Sequence, residues 1–152
     1  CTEFVQKIRP DALCWLRKTY AHATNWDNDA ETLGKGIVVV DNLPRVGDIA
    51  VWNDTCGDAY KPFGHVAIVT KVTTSANGQT KIDVDQANRN GDGKVSAYKD
   101  LLVNKDCMKF IHEPILGVEP NATTIDAAST QPDEKQESWW NRFWCFINPW
   151  CP

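Results

Sequence analysis

The spacing of apolar side chains divides the chain into an N-terminal helical part and a later part made of strands. Apolar residues within 4–8 recur at helical intervals and predict one short helix; those within 13–20 predict a second, with Pro10 between them. A third short helix is predicted through Ala30 toward Leu33. Its candidate caps are Asn25 or Asp27 at the start and Gly34 or Gly36 at the end.

After the helical part, short β-branched and apolar runs alternate with turn residues, which is typical of strands. The runs are 37–40, 49–52, 65–72, 81–84 and 108–111. Asn77-Gly78 fits a tight hairpin, and residues 90–93 form a second turn region, so we expect an antiparallel meander. Helices followed by strands predict the α+β class, with the N-terminal helices packed on a central antiparallel sheet of about five or six strands.

The C-terminal part differs in composition from the rest. We predict that residues 1–114 form the folded domain and that residues 115–138, rich in Pro, Thr, Ser and acidic residues, form a polar linker. The tail, residues 139–152, crowds six aromatic side chains beside Cys145 and Cys151. Such a tail either folds back onto the domain, as we favour, or contacts a partner, a glycan or a membrane surface.

Composition and charge restrict the functional class. With 152 residues, 42% of them hydrophobic, the chain suffices for one domain with a core. Its net charge of −4 comes from 16 basic and 20 acidic residues without a basic stripe, so nucleic acid is not an expected partner. No run approaches the roughly 20 apolar residues of a transmembrane helix. No signal peptide precedes Cys1 in this chain, which leaves export open.

The six cysteines favour an oxidising compartment and lack the paired spacing of a structural zinc site. If Cys1 works as a thiolate, we favour the bridges Cys56–Cys107 and Cys145–Cys151, with Cys14 unpaired. In the alternative all six are paired, including Cys1, which would remove it as a nucleophile.

Two residues are candidates for a nucleophile and its base. Cys1 stands at the start of the first predicted helix, where unpaired main-chain N–H groups and the helix dipole stabilise a thiolate. His65 opens a strand directly after Gly64, which permits close approach of another backbone or a substrate. The other histidines, His22 and His112, are expected to be surface or packing residues.

A third group is needed to orient the imidazole, and the strand after Asn77-Gly78 offers several. By the two-residue period of a strand, Gln86 and Asn88 share one face, and Asp83 and Asp85 share the other. Residues 88–99 also partly match a calcium loop, but Lys99 stands where the bidentate carboxylate belongs. We therefore predict a hairpin turn there, with no metal site.

Several segments resemble the CHAP domains, which are cysteine- and histidine-dependent amidohydrolases/peptidases related to the NlpC/P60 peptidoglycan hydrolases. The similar segments are Cys1-Thr2-Glu3-Phe4-Val5, Ala23-Thr24-Asn25-Trp26, the run from Pro44 to Trp52, Gly64-His65-Val66-Ala67-Ile68-Val69, Gln86-Ala87-Asn88 and Phe110-Ile111-His112-Glu113-Pro114. Together they span residues 1 to 114, and the glycine–histidine segment is the most specific.

The resemblance implies a papain-like α+β fold and a secreted, periplasmic or extracellular enzyme that cleaves an amide of peptidoglycan, as an N-acetylmuramoyl-L-alanine amidase or an endopeptidase. It implies Cys1 as nucleophile, His65 as base, and Gln86, Asn88 or Asp85 as the orienting residue. Trp26, Trp52 and Gly64 are candidates for the substrate cleft. No cofactor is implied.

Two departures from the family pattern keep alternatives open. Gln86 stands where the family commonly has glutamate, which also fits a binding module whose amidase site has decayed and which would use the aromatic tail for recognition. Cys1 has no residue before it in this chain, which also fits a lipid-bearing terminus or a nucleophile that uses its own amine as base.

Overall fold

The computed structural model describes residues 1–10, 12, 16, 22–36, 38–57, 60–89 and 91–112. Most of the predicted second helix therefore lies outside the described residues. So do the predicted linker, the aromatic tail, and the cysteines at positions 14, 145 and 151.

Two helices precede the sheet. Helix α1, Thr2–Ile8, has Cys1 as its N-cap residue and buries Val5. Helix α2, Trp26–Leu33, follows a short 3₁₀ turn over Ala23–Asn25. It ends at Gly34, whose N–H donates to the carbonyl of Ala30. The first and third predicted helices are thus confirmed, with Asn25 in the N-cap position of α2 but without a side-chain capping bond.

The strands form one six-stranded sheet in the order β1-β6-β2-β3-β4-β5. They are β1 (Val39–Asp41), β2 (Ile49–Trp52), β3 (His65–Thr74), β4 (Thr80–Ala87), β5 (Val95–Leu102) and β6 (Met108–His112). All neighbouring strands pair antiparallel. The α+β class and the antiparallel sheet are therefore confirmed.

The expected meander is correct for β2 to β5 and wrong for β6, which lies between β1 and β2. Four of its five residues are buried, including the adjacent Phe110, Ile111 and His112. A strand that is buried on both faces is typical of the interior of a sheet, where partners satisfy both edges.

The sheet has an apolar core on each face, because alternate residues of a strand point to opposite sides. In β2, Ile49 and Val51 belong to one cluster, which also contains Val5 of α1 and Trp26 of α2. Ala50 and Trp52 belong to a second cluster, whose described members come from strands and loops. The helices therefore cover one face of the sheet, and the first cluster is called the helix-side core below. The second cluster, on the other face, contains the aromatic residues of the site described below.

Loops and crosslinks agree with several expectations. Asn77-Gly78 lies in the β3–β4 hairpin, where Gly78 has φ +81° and donates to the carbonyl of Ser75. The disulfide Cys56–Cys107 is present, and Cys1 is bridged to neither of these two cysteines, the others that the structure describes. Within the described ranges, no helix has the length and apolar character needed to cross a membrane.

Candidate active site

His65 is the first residue of β3, and the conformation of the preceding glycine determines where it lies. Gly64 has φ +67°, a value that favours glycine. A Cβ atom there would lie 2.6 Å from the main-chain nitrogen of Thr24 and 2.6 Å from the carbonyl oxygen of Trp52. The glycine therefore lets the turn before α2 and the end of β2 pack directly against the chain that leads into His65. The close approach expected at Gly64 is that of protein backbone.

Two aromatic rings contact the imidazole. The ring centroid of Trp52 lies 5.8 Å from that of His65, and the centroid of Tyr60 lies 6.2 Å from it. Trp52 and Tyr60 stack on each other at 6.3 Å. His65 is 5% exposed and Trp52 is 6% exposed, so the imidazole lies in a largely desolvated setting.

The side chain of Gln86 is hydrogen-bonded to Nε2 of this imidazole. Its Oε1 lies 2.7 Å from Nε2 of His65, and Gln86 is 1% exposed. Its amide nitrogen donates to the hydroxyl of Ser96 at 3.5 Å, which fixes the oxygen toward the histidine. Because an amide oxygen only accepts, Nε2 of His65 carries the donated proton, and Nδ1 of the neutral ring is left with its lone pair.

The surroundings of His65 favour its neutral form. Burial lowers the pKa of His65 to about 4, although the hydrogen bond that His65 donates to Gln86 acts in the opposite direction. The amino group of Cys1 and the guanidinium of Arg89 lower this pKa further by charge repulsion. At neutral pH the imidazole is therefore uncharged and able to accept a proton.

Cys1 approaches this region from the start of α1. The helix packs against β3 and β4, the strands that carry His65 and Gln86. The effect of the Cys1 amino group on the pKa of His65 places the two residues within electrostatic reach of each other. Cys1 is partly buried against the helix-side core and forms no disulfide with a described cysteine. Burial also lowers the pKa of its amino group, while Glu3 acts to raise it.

The three candidates for the orienting residue occupy different places. Gln86 is hydrogen-bonded to His65. Asp85 precedes it in β4, so its side chain points to the opposite face, where it is half-exposed. Asn88 is exposed beyond the end of β4 with φ +61°, and its Oδ1 accepts a hydrogen bond from the N–H of Gly93 at 2.8 Å. The structure thus brings Gln86 to the histidine and does not bring Asp85 or Asn88 there.

Of the remaining candidates, one lies in the core of the protein and the calcium-like segment forms a turn. Trp26, a candidate for the substrate cleft, is completely buried, and its ring is part of the helix-side core. The calcium-like segment forms the β4–β5 turn, where Asp92 Oδ1 accepts from the N–H of Lys94 at 3.0 Å. Among the described residues no group of three His, Cys, Asp or Glu side chains is arranged to hold a metal.

The other histidines lie in different surroundings from His65. His22 is exposed, and its ring lies 4.9 Å from that of Phe63. His112 is buried in β6, with its ring nitrogens 3.6 Å from Asp48 Oδ2 and 3.7 Å from Asp41 Oδ2.

Sequence reasoning missed three residues beside the histidine. Tyr60 contacts the His65 ring, and Arg89 donates through Nη2 to the Tyr60 hydroxyl at 3.1 Å. The guanidinium carbon of Arg89 lies 4.4 Å from the ring centroid of Tyr98. A cation directly after Gln86-Ala87-Asn88 was the available signal for Arg89, whereas nothing in the sequence pairs it with the two tyrosines.

Comparisons with known proteins show the family and the fold of the chain. Residues 1–88, more than half of the chain, match the model of the CHAP domain, and the protein therefore belongs to the CHAP domain family. It is similar in structure to an N-acetylmuramoyl-L-alanine amidase from Staphylococcus aureus, with a TM-score of 0.54 and 22% sequence identity. The likeness covers 75% of this chain and 30% of that amidase, and it shows the shared fold. A comparison with curated protein sequences finds no significant match.

Proposed function

We propose that the protein is a cysteine amidohydrolase that cleaves an amide bond of peptidoglycan, with Cys1 as nucleophile and His65 as base. The observation that carries the proposal is the imidazole of His65: buried, neutral, held at Nε2 by Gln86 and within electrostatic reach of Cys1. Membership of the CHAP domain family and the fold shared with a staphylococcal amidase support peptidoglycan as the substrate. Such a substrate places the enzyme at or outside the cell wall.

In the proposed reaction, Nδ1 of His65 accepts the proton of the Cys1 thiol, and the thiolate attacks the carbonyl carbon of the amide. The first N–H groups of α1 have no helical partner and are the proposed donors to the oxyanion. His65 then gives its proton to the leaving amine, the C–N bond breaks, and a thioester remains. Water attacks the thioester with His65 as base, which releases a carboxylic acid and restores the thiol.

In this scheme Gln86 is a positioning residue. Its amide oxygen accepts the Nε2 proton of His65 in the resting state and when the ring is charged, so the ring keeps one orientation through both halves of the cycle. An amide gives less stabilisation to the charged ring than a carboxylate would, which fits a resting pair of thiol and neutral imidazole.

The test is release of free amino groups from purified peptidoglycan by the wild type, Cys1→Ala and His65→Ala, with the fragments identified by mass. We expect release by the wild type and its loss in both variants. The fragments distinguish cleavage between muramic acid and L-alanine from cleavage within the peptide. Near-ultraviolet circular dichroism checks that each variant is folded. No release by folded wild type from several wall types would favour the binding module instead.

Alkylation gives an independent measure of the nucleophile. Iodoacetamide at neutral pH should label Cys1 in the wild type and label it more slowly in His65→Ala, because the base is gone. Cys56 and Cys107 are bridged and serve as internal controls, since neither should be labelled without reductant.

A further inference from the structure

Arg89 is held beside the site by aromatic groups. Nη2 donates to the Tyr60 hydroxyl at 3.1 Å, and the guanidinium carbon lies 4.4 Å from the Tyr98 ring centroid and 6.0 Å from that of Tyr60. Arg89 is half-buried, and within the described residues no carboxylate forms an ion pair with it. Its position is therefore fixed while its charge is not neutralised by these contacts.

This cation belongs to the surroundings of the base. The Tyr60 ring that holds Arg89 also contacts His65, at 6.2 Å between centroids. The charge of Arg89 is among the causes that lower the pKa of His65, although burial is the larger one. A positive charge is thus held close to a group that must itself become positively charged during the proposed reaction.

A half-buried guanidinium that has no carboxylate partner among the described residues is costly unless an anion binds it. Of its five N–H donors, one is directed to Tyr60, which leaves donors for a planar acceptor. A carboxylate matches this geometry best, since arginine can bind its two oxygens at once.

We propose that Arg89 binds a free carboxylate of the substrate next to the amide that Cys1 attacks. The inference rests on the proposed function and narrows its substrate class to stem peptides whose carboxylate beside the scissile bond is ionised rather than amidated. Binding of that carboxylate offsets the repulsion between Arg89 and the protonated His65, so the substrate itself favours proton transfer to the base.

The first experiment compares hydrolysis of two matched compounds, the γ-methylamide of N-acetylmuramoyl-L-alanyl-D-glutamate and the α-carboxamide of that compound, which differ only at the α-carboxyl group. We expect the wild type to prefer the free acid by about tenfold or more in kcat/KM, as for a charge-assisted hydrogen bond. Arg89→Gln should lose the preference by hydrolysing the acid more slowly, and Arg89→Lys should keep part of it. Lys99→Gln, the matched control, removes an exposed cation that directly follows Tyr98 in the chain and should keep the preference.

The second experiment does not depend on turnover. Binding of the same two compounds to Cys1→Ala is measured by calorimetry, with and without Arg89→Gln in the same chain. Tighter binding of the acid that Arg89→Gln removes supports the inference even if the wild type hydrolyses neither compound, because failure of the proposed function is judged separately by the peptidoglycan assay above. Equal binding and equal hydrolysis of acid and amide by a folded protein would overturn the inference and leave the hydrolase proposal standing. A preference for the acid that Arg89→Gln retains would also overturn it.

Discussion

The amide oxygen of Gln86 lies 2.7 Å from Nε2 of His65, and both side chains are buried. The family commonly has glutamate at this position, and a carboxylate there would be a buried charge that needs a charged imidazole as its partner. With an amide the pair is neutral, and burial dominates over the hydrogen bond in setting the pKa of His65 at about 4. This protein therefore orients its histidine without charging it.

Replacing Gln86 by glutamate should charge the histidine. In Gln86→Glu the carboxylate favours the imidazolium, so we expect the pKa of His65 to rise by at least about one unit. Titration of the imidazole by NMR measures this directly. The acid limb of kcat/KM, expected near pH 4 in the wild type because the base must be neutral, should move to higher pH with it.

Asp85→Asn is the matched control for that substitution. It changes a carboxylate in the adjacent position of β4, on the opposite face of the strand. The pKa of His65 should stay at the wild-type value. A larger shift in Asp85→Asn than in Gln86→Glu would mean that Asp85, and not Gln86, is the group that acts on the histidine.

The buried histidine should also make stability depend on pH. The pKa of His65 falls from 6.5 to about 4 in the folded protein, so between these values the unfolded chain binds more protons. Its contribution to the free energy of unfolding is complete above pH 6.5 and is lost as the pH falls toward 4. Between pH 7.5 and 4.5 we expect a loss of about 2–3 kcal/mol from this group.

Urea unfolding of the wild type and His65→Gln at the two pH values isolates this contribution. All other titrating groups are shared, so the difference between the two proteins reports His65. The wild type should lose more stability on acidification than His65→Gln does. Equal losses would show that the pKa of His65 is not lowered in the folded protein.

The fold was predictable where the sequence is periodic or contains strong turn residues. The β2 run is apolar throughout, and Asn77-Gly78 marks the hairpin between β3 and β4. Strand β5, Val95–Leu102, was not predicted, because it is a mostly exposed edge strand with charged residues among its apolar ones. Its regular pattern is also broken at Asp100, which has φ +56° and donates its N–H to Asp83 Oδ1.

The site was predictable only in part, for a physical reason. The family resemblance provides candidates such as His65 and Gln86, but three neighbouring polar residues were equally compatible with the orienting role. What distinguishes the three residues is the face of β4 on which each side chain lies and whether the residue lies within the strand or beyond its end. Arg89, in the turn after β4, contacts Tyr60 of a loop and Tyr98 of β5, and such packing contacts leave no periodic signal in the sequence.

The disulfide Cys56–Cys107 should stabilise the face of the site that carries Tyr60. It joins the segment after β2 to the residue before β6, 51 positions apart. Closing a loop of this length stabilises a protein by about 4 kcal/mol through the entropy of the unfolded chain. Cys56→Ala/Cys107→Ala should lower the free energy of unfolding in urea by about that amount.

Reductant provides the comparison for the disulfide variant. It should lower the stability of the wild type to about that of the double variant and change the double variant much less. A wild type insensitive to a reductant that demonstrably opens the bridge, as counted by alkylation and mass, would contradict the prediction.

Gly64→Ala should destabilise the protein more than Gly78→Ala, which replaces another glycine with a positive φ angle. Gly64 and Gly78 both have positive φ, at +67° and +81°, so alanine is strained at either by about 1–2 kcal/mol. At Gly78 the new Cβ meets no atom within 4 Å, whereas at Gly64 it lies 2.6 Å from backbone atoms of Thr24 and Trp52.

In urea unfolding we therefore expect Gly64→Ala to lower the free energy of unfolding by at least about 3 kcal/mol. Because Gly64 directly precedes His65, we expect relief of the clash to displace the histidine, so alkylation of Cys1 at neutral pH should also slow in Gly64→Ala and not in Gly78→Ala. Equal losses in the two variants would mean that the backbone approach at Gly64 contributes nothing beyond its φ.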